Sequence, residues 1–364
     1  MMDRRNTRCV RAGAVPIGGG APVSVQSMTN TDTRDVEATV AQIHELERAG
    51  CELVRVSVYD MDCARAISAI RRAIHIPLVA DIHFDHRLAI AAAENGVDKL
   101  RINPGNIGGQ AHVEKLVDCA NCHHIPIRIG VNAGSLEADL KRQCGADSPQ
   151  AMVESALRHI RMLERAHFQD IVVSLKSSTV STTVEAYRLL SQTVDYPLHI
   201  GITETGTVER GILKSAIGIG ALLLDGIGDT LRVSLTDTPV REVQVGLEIL
   251  RALRLREDDI EIISCPTCGR TRVDLLQAVE TVQAALPHHR GYLRVAVMGC
   301  AVNGPGEATD ADIGIAFGNG NGVLFKHGEK LAHGPAAEMI ELLVREATAM
   351  LEDRGRRDGE TADR

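Results

Sequence analysis

IPIRIGVN, residues 125–132, sets an arginine and an asparagine into a run that is otherwise aliphatic. If the run is a strand, side chains alternate, so Arg128 and Asn132 share one face while Ile127, Ile129 and Val131 take the other. The pattern recurs in LVRVSV (53–58), KLRIN (99–103), IVVSLK (171–176) and TLRVSL (230–235). Counting VSVQSM (23–28), LVADIH (78–83) and LHIGITE (198–204), eight short apolar runs lie between residues 23 and 235. The segments between them have a helical period, as in VEATVAQIHELERAG (36–50) and PQAMVESALRHIRMLERA (149–166), the first ending on Gly50 as a C-cap. Eight strand–helix repeats predict an α/β fold, a (β/α)8 barrel of the TIM type. The alternative is a doubly wound open sheet. It would want a glycine-rich first turn, and IGIGAL (217–222) sits instead inside a helical pattern.

PVREVQVGLEILRALRLRE (239–257) predicts the last barrel helix, after which the texture changes. Ile260–Cys268 predicts a strand running into a cysteine turn, residues 272–286 a helix, and Leu293–Val297 a strand ending in MGCAVNGPGE. The expected organisation is a barrel over 1–258, a smaller α/β domain over 259–351 and a charged, flexible tail over 352–364. A formal net charge of −8 and 2% aromatic content without tryptophan argue against general nucleic-acid binding. No run approaches the ~20 apolar residues of a membrane span, and the first residues have no signal-peptide pattern. The expected location is the cytoplasm, where some of the nine cysteines would serve metal or redox chemistry.

The aliphatic face of each strand must meet the surrounding helices, so the polar face points into the barrel. That gathers Arg55, Arg101, Arg128, Lys176 and Arg232 inside, beside Ser57, Asn103, Asn132, Ser174 and Ser234. Buried arginines without partners cost several kcal/mol. Asp81 and Glu204 could neutralise some of this charge, and a bound polyanion could neutralise the rest. Arginine suits phosphate through bidentate geometry, and barrel active sites form at the C-terminal ends of the strands. A phosphorylated or diphosphorylated ligand is therefore expected at the mouth.

Cys265-Pro-Thr-Cys268 brings two thiols onto a tight turn, and Cys300 follows a second strand. This set admits a zinc site with His288 or His289 as fourth ligand, a redox disulfide, or a [4Fe–4S] cluster with three cysteine ligands. Glu307, seven residues beyond Cys300, either completes the ligand set or hydrogen-bonds its loop. A carboxylate there would be harder and more weakly held than a thiolate, suiting an iron that exchanges a protein ligand for substrate oxygen. Cys119 and Cys122 form another CxxC but fall in a helical pattern and read as structural or surface residues, whereas Cys9, Cys51, Cys63 and Cys144 are isolated and expected to be buried as small hydrophobes.

The strings VQSMTNT (25–31), LVADIHFD (78–85), LRINPGNIG (100–108), IPIRIGVNAGSLE (125–137), GDTLRVSL (228–235), CPTCGR (265–270) and GCAVNGPGE (299–307) closely resemble the bacterial 4-hydroxy-3-methylbut-2-enyl diphosphate synthases. The likeness runs in order along nearly the whole chain. It implies reductive ring opening of 2-C-methyl-D-erythritol 2,4-cyclodiphosphate in the non-mevalonate isoprenoid pathway, with flavodoxin or ferredoxin as electron donor. It implies a [4Fe–4S] cluster on Cys265, Cys268, Cys300 and Glu307. It matches Arg55, Arg101, Arg128, Asn132, Lys176, Arg232 and Ser234 to the diphosphate pocket, and Glu204 in GITETG to an essential acid with a proton to manage. Asp81, His83 and Asn103 match the barrel-mouth pattern without an assigned role. In the implied reaction two electrons arrive singly through the cluster and the C3 hydroxyl leaves as water.

The last barrel helix runs from mouth to floor, so the second domain begins at the wrong end of its own barrel. Either that domain swings around to its own mouth or it caps the barrel of a second subunit, and a head-to-tail homodimer, each cluster serving the neighbouring mouth, is the simpler, expected solution. Two other classes fit parts of the sequence: a non-redox aldolase or phosphate-ester lyase with a structural zinc domain, and a cluster-bearing sensor or scaffold.

Overall fold

The computed structural model describes residues 3–145, 147–287, 291–300, 308 and 310–362, with side chains as far as Arg354. The chain divides after Leu255 into two compact units.

The first unit opens with a hairpin of β1 (Val10–Ala12) and β2 (Val15–Ile17). Eight parallel strands follow: β3 (Ser24–Met28), β4 (Leu53–Ser57), β5 (Leu78–Asp81), β6 (Lys99–Ile102), β7 (Ile127–Asn132), β8 (Ile171–Lys176), β9 (His199–Ile200) and β10 (Thr230–Leu231). They pair in the order β8-β7-β6-β5-β4-β3-β10-β9, and a parallel bridge between Val173 and Leu198 joins the two ends into a closed barrel. Each lies within a run that the sequence predicts. Around them stand α1 (Val36–Arg48), α2 (Met61–Ala73), α3 (His86–Glu94), α4 (Gln110–His123), α5 (Ala138–Cys144), α6 (Pro149–Arg165), α7 (Val180–Ser191), α8 (Val208–Leu224) and α9 (Pro239–Ala252). Asp35, Asp60, Asp85 and Ser148 start α1, α2, α3 and α6 by accepting backbone N–H bonds from the first turn. Gly50 follows α1 with φ +89°, as a glycine stop requires.

The outward faces of the strands, with Val54, Val56, Leu100, Ile102, Ile129 and Val173, form one core with Ile43, Ile67, Leu116 and Met152 of the helices. Barrels of this type usually fill their interior with branched aliphatic side chains. Here only the lowest layer is apolar. Leu53, Val79 and Val172 meet Val10, Ala12 and Ile17 of the hairpin, which plugs the floor. The sequence gives no sign of this plug, because two three-residue strands carry no period to detect.

The second unit is a five-stranded sheet in the order β11 (Ile260–Ser264), β12 (Leu293–Met298), β13 (Ile313–Gly318), β14 (Asn321–Lys326) and β15 (Glu329–Pro335). The first three are parallel and the last two antiparallel. One face packs against α10 (Leu275–Ala285) and the C-terminal helix (Ala336–Ala362) through Leu275, Val282, Val295, Ile315 and Leu343. That helix continues through Ala362, so the backbone does not break at residue 352. Among the described residues no helix is long and apolar enough to cross a membrane.

Gly18, just after β2, has φ +80°, and a Cβ there would stand 2.3 Å from the Arg8 carbonyl oxygen. Gly18→Ala is expected to cost about 1–3 kcal/mol by combining left-handed strain with that clash. A lowered urea midpoint of the barrel transition is the readout, and an unchanged midpoint would mean that neither the strain nor the clash is felt.

Candidate active site

Four interior positions line up across adjacent strands. Ser57 of β4 pairs in register with Asp81 of β5, Asp81 with Arg101 of β6, and Arg101 with Arg128 of β7. Asp81, only 4% exposed, accepts a bond from Arg101 Nη1 at 3.0 Å and faces Arg55 Nε at 3.6 Å. Its burial alone would push its carboxyl up, but Arg55 and Arg101 outweigh that and hold it below the usual carboxylate range. Arg101 Nη1 also lies 3.0 Å from His83 Nε2. A guanidinium only donates, so His83 accepts there as a neutral ring, and burial lowers its affinity for a proton.

Arg232 has a partner that the sequence does not announce. It forks onto Glu242 of α9 at 3.2 and 3.3 Å, and Glu242 also takes bonds from the Ser27 hydroxyl and the Leu235 N–H. The structure therefore corrects one expectation: the second interior acid is Glu242, which is 4% exposed, whereas Glu204 is exposed. Glu242 escapes detection because PVREVQ looks like an ordinary helix start.

The remaining cationic contacts are poor. Arg55 points Nε and Nη2 at the Met28 sulfur, 3.1 and 2.9 Å away, and Arg232 Nη1 lies 3.7 Å from the same atom. A thioether is a weak acceptor, so two guanidiniums converge where a stronger anion would be better. Burial brings Arg55 down to about 10 despite Asp81. Arg128 is 1% exposed, and its Nε and Nη1 have no hydrogen-bond partner among the described residues. Its register partner on β8 is Val172 of the floor, so it sits deeper than the expected mouth position. Lys176, at the end of β8, is also buried, and burial followed by Arg128 and Arg232 disfavours its charge.

Beneath lies a polar layer that the sequence analysis missed. Lys99 and His199 are fully buried, and Lys99 Nζ, both His199 ring nitrogens, both Gln26 amide atoms and the Thr230 hydroxyl lack partners among the described residues. Burial, then neighbouring cations, pushes both Lys99 and His199 well below their ordinary ranges. The alternation in KLRIN carried the signal: Lys99 stands two residues before Arg101 on the same face.

At the mouth, Asn103 is buried and accepts from the Gly105 N–H at 3.1 Å, while Asn132 and Ser234 are half-buried. Glu204, in the loop after β9, has a left-handed backbone with φ +53°. A non-glycine residue held in that conformation is a frequent mark of a functional loop. On the rim a cavity of about 500 Å³ is lined by Tyr59, Met61, His83 and Phe84 among others.

In the second unit, β11 and β12 run parallel with Ser264 beside Val297, so Cys265 and Cys300 both emerge at the C-terminal ends of neighbouring strands. The Gly299 N–H donates to Cys265 Sγ at 3.3 Å, and the Arg272 N–H donates to the Gly299 carbonyl, tying the cysteine turn to the next strand end. Hydrogen bonding from the Arg270 backbone lowers the exposed Cys268 thiol, favouring a thiolate. Backbone N–H bonds to sulfur and a lowered thiol suit an iron–sulfur or other thiolate-bound metal centre. Glu307, His288 and His289 lie outside the described residues. Cys119 and Cys122 lie in α4, as expected, and Cys51 and Cys63 are buried, whereas Cys9 and Cys144 are exposed.

Residues 7–247 match the family model described as the GcpE TIM-barrel domain, and residues 261–349 match the GcpE protein C-terminal domain. The chain is 61% identical over 328 residues to a protein of Nitratidesulfovibrio vulgaris, covering 90% of this chain and 85% of that one. It is 55% identical to proteins of Caldanaerobacter subterraneus subsp. tengcongensis and Geobacter sulfurreducens, each match covering 96% of this chain and 99% of the relative. All three relatives bear the name 4-hydroxy-3-methylbut-2-en-1-yl diphosphate synthase (flavodoxin). Among solved structures, dihydropteroate synthase of Yersinia pestis matches with a TM-score of 0.50 at 12% identity, covering 68% of this chain and 97% of that one, a likeness of fold alone.

The deep lysine yields a prediction with a definite sign. Its folded proton affinity is depressed, so between the folded and unfolded values the unfolded chain binds the extra proton, and stability rises as pH rises through that window. Near neutral pH Lys99 therefore destabilises the unliganded barrel. Lys99→Met is expected to stabilise it by about 1–4 kcal/mol, to flatten its stability between pH 7 and 10, and to weaken pyrophosphate binding. Thermal melts across pH and calorimetric titration check this; a lower Tm with an unchanged pH slope would contradict it.

Proposed function

The chain belongs to the GcpE family, and from that footing we propose that it catalyses reductive ring opening of 2-C-methyl-D-erythritol 2,4-cyclodiphosphate to 4-hydroxy-3-methylbut-2-enyl diphosphate. The observation that carries the reading is the convergence of Arg55 and Arg232 on the Met28 sulfur, with Arg128 and Lys99 unpartnered beneath them. An interior this cationic is complementary to a diphosphate and to few neutral metabolites.

Arg55 and Arg232 exchange a weak sulfur contact for phosphate oxygens, which they can hold through paired N–H bonds. Asp81 and His83 keep Arg101 extended toward the same region, and Glu242 does this for Arg232. Lys176 and Arg128 add charge along the β7–β8 side, and Asn132 and Ser234 supply neutral hydrogen bonds at the mouth. Asn103 fixes its own loop through the Gly105 N–H. Glu204 manages a proton at the C3 hydroxyl, which leaves as water while the ring C–O bond to phosphate breaks and two electrons enter.

The electrons require a redox group. Cys265, Cys268 and Cys300 would hold a [4Fe–4S] cluster, with Glu307 as fourth ligand, and the N–H bond to Cys265 and the lowered Cys268 thiol support that assignment. When bound, the cluster supplies two electrons one at a time, delivered by flavodoxin, the donor in the relatives' names. The non-redox lyase with structural zinc draws no specific support. For assembly, α9 (Pro239–Ala252) returns the chain from the mouth end of β10 to the floor over about 21 Å. That favours a head-to-tail homodimer in which each cluster serves the partner's barrel.

Anaerobically purified protein is expected to contain iron and acid-labile sulfide and to turn over the cyclic diphosphate with reduced flavodoxin; zinc alone would overturn the cluster, and absent turnover the function. Glu204→Gln is expected to lose about 10²–10⁴-fold in kcat, and full turnover would refute the proton role. Mixing Cys300→Ser with Glu204→Ala subunits is expected to restore activity through heterodimers, and its failure would refute the shared site.

A further inference from the structure

Far from the mouth, three potential metal ligands meet on the outside of the barrel. His44 and Glu47 stand one turn apart in α1, and His75 lies in the connection between α2 and β5. The three ligand atoms fall within 4.8 Å of one another. We propose that His44, Glu47 and His75 form a binding site for Zn2+ or a similar borderline divalent transition metal, clipping the end of α1 to the α2–β5 connection.

The geometry of each ligand favours this. Glu47 Oε1 is held by the backbone N–H groups of His75 and Ile76, at 2.6 and 3.1 Å, which leaves Oε2 aimed at the two rings. His75 Nδ1 lies 3.1 Å from that oxygen, and His44 Nδ1 lies 3.6 Å from it. In a tetrahedral zinc site with bonds of about 2.0–2.1 Å, neighbouring ligand atoms are roughly 3.3–3.4 Å apart. Both separations bracket that value. His44 Nε2 lies 3.0 Å from the Ala73 carbonyl, which can only accept, so the proton sits on Nε2 and Nδ1 presents a lone pair. A metal-bound histidine whose other nitrogen donates to a carbonyl is the usual outer arrangement of such sites. The rings meet edge to face at an interplanar angle of 85°, as they can when both converge on one point.

An ordinary ion pair between His75 and Glu47 would explain one of these contacts. It does not require the His44 lone pair to face the same oxygen, nor the second Glu47 oxygen to be withdrawn from the rings by backbone bonds. Three protein ligands and a His75 side chain that is 82% exposed leave the fourth position to solvent, so a bound ion would exchange readily.

The test uses the cluster-loaded, full-length protein under anaerobic conditions, with Zn2+ alone as the probe in calorimetric titration. His75→Ala and His44→Ala remove ligands without touching the barrel interior, so both are expected to fold and turn over normally. The wild-type protein is expected to bind one equivalent that each variant loses by about 10–100-fold in affinity, and Zn2+ is expected to raise the Tm of the wild type alone. Binding that is equal in all three proteins would assign the zinc to exposed thiols such as Cys9, Cys122 and Cys144 and overturn the proposal, as would an absence of binding.

Discussion

Positive charge that the barrel's own acids do not match is the constraint on which the rest of this structure depends. Six cationic side chains, Arg55, Lys99, Arg101, Arg128, Lys176 and Arg232, line the interior strands, while Asp81 and Glu242 are the acids that pair with them among the described residues. Desolvation makes such an arrangement costly in the unliganded protein. Local choices keep it workable. Asp81 is shared between two arginines, Glu242 is held by three separate donors, and a soft sulfur fills the space between Arg55 and Arg232.

The backbone accommodates the long side chains at two glycines. A Cβ on Gly130 would stand 2.5 Å from Arg101 Nε, so the inward position on β7 above Arg128 has to be empty for Arg101 to lie across it. A Cβ on Gly201 would stand 2.4 Å from the Arg232 carbonyl oxygen and 3.4 Å from Lys176 Nζ. The apolar plug of β1 and β2 then closes the floor beneath this polar interior, leaving the mouth as the way in for an anion. The second unit applies the same economy to a different end. A parallel register brings two cysteine-bearing strand ends together, and backbone N–H groups rather than side chains support the sulfur.

Much of this was legible in the sequence because arginine in an aliphatic strand is hard to misread: the alternation at Arg55, Arg101, Arg128 and Arg232 fixed both the strands and their inward face. What escaped did so for physical reasons. The floor hairpin pairs two three-residue strands, too short to show a period, and glycines interrupt the alternation in each strand of the β13–β15 meander, although every partner is close in sequence. Glu242 reads as a surface acid at the start of an amphipathic helix, and only the fold carries it to Arg232. Lys99 shares the inward alternation of KLRIN, yet a lysine at a strand start normally snorkels outward, and burial is a property of barrel closure. Glu204 was legible as a mouth residue but not as an exposed one with a strained backbone. The metal-ligand role proposed for Glu307 rests on family likeness, since that residue lies outside the described residues.

If the interior charge is built for a diphosphate, the ligand should relieve the repulsion that the empty barrel carries. The most direct measurement is the thermal stability of the protein titrated with 2-C-methyl-D-erythritol 2,4-cyclodiphosphate, in parallel with the uncharged polyol 2-C-methyl-D-erythritol, at low and high salt. The account predicts a large rise in Tm with the cyclic diphosphate, smaller at high salt, and none with the polyol. Equal shifts with both compounds, or no shift with either, would contradict it.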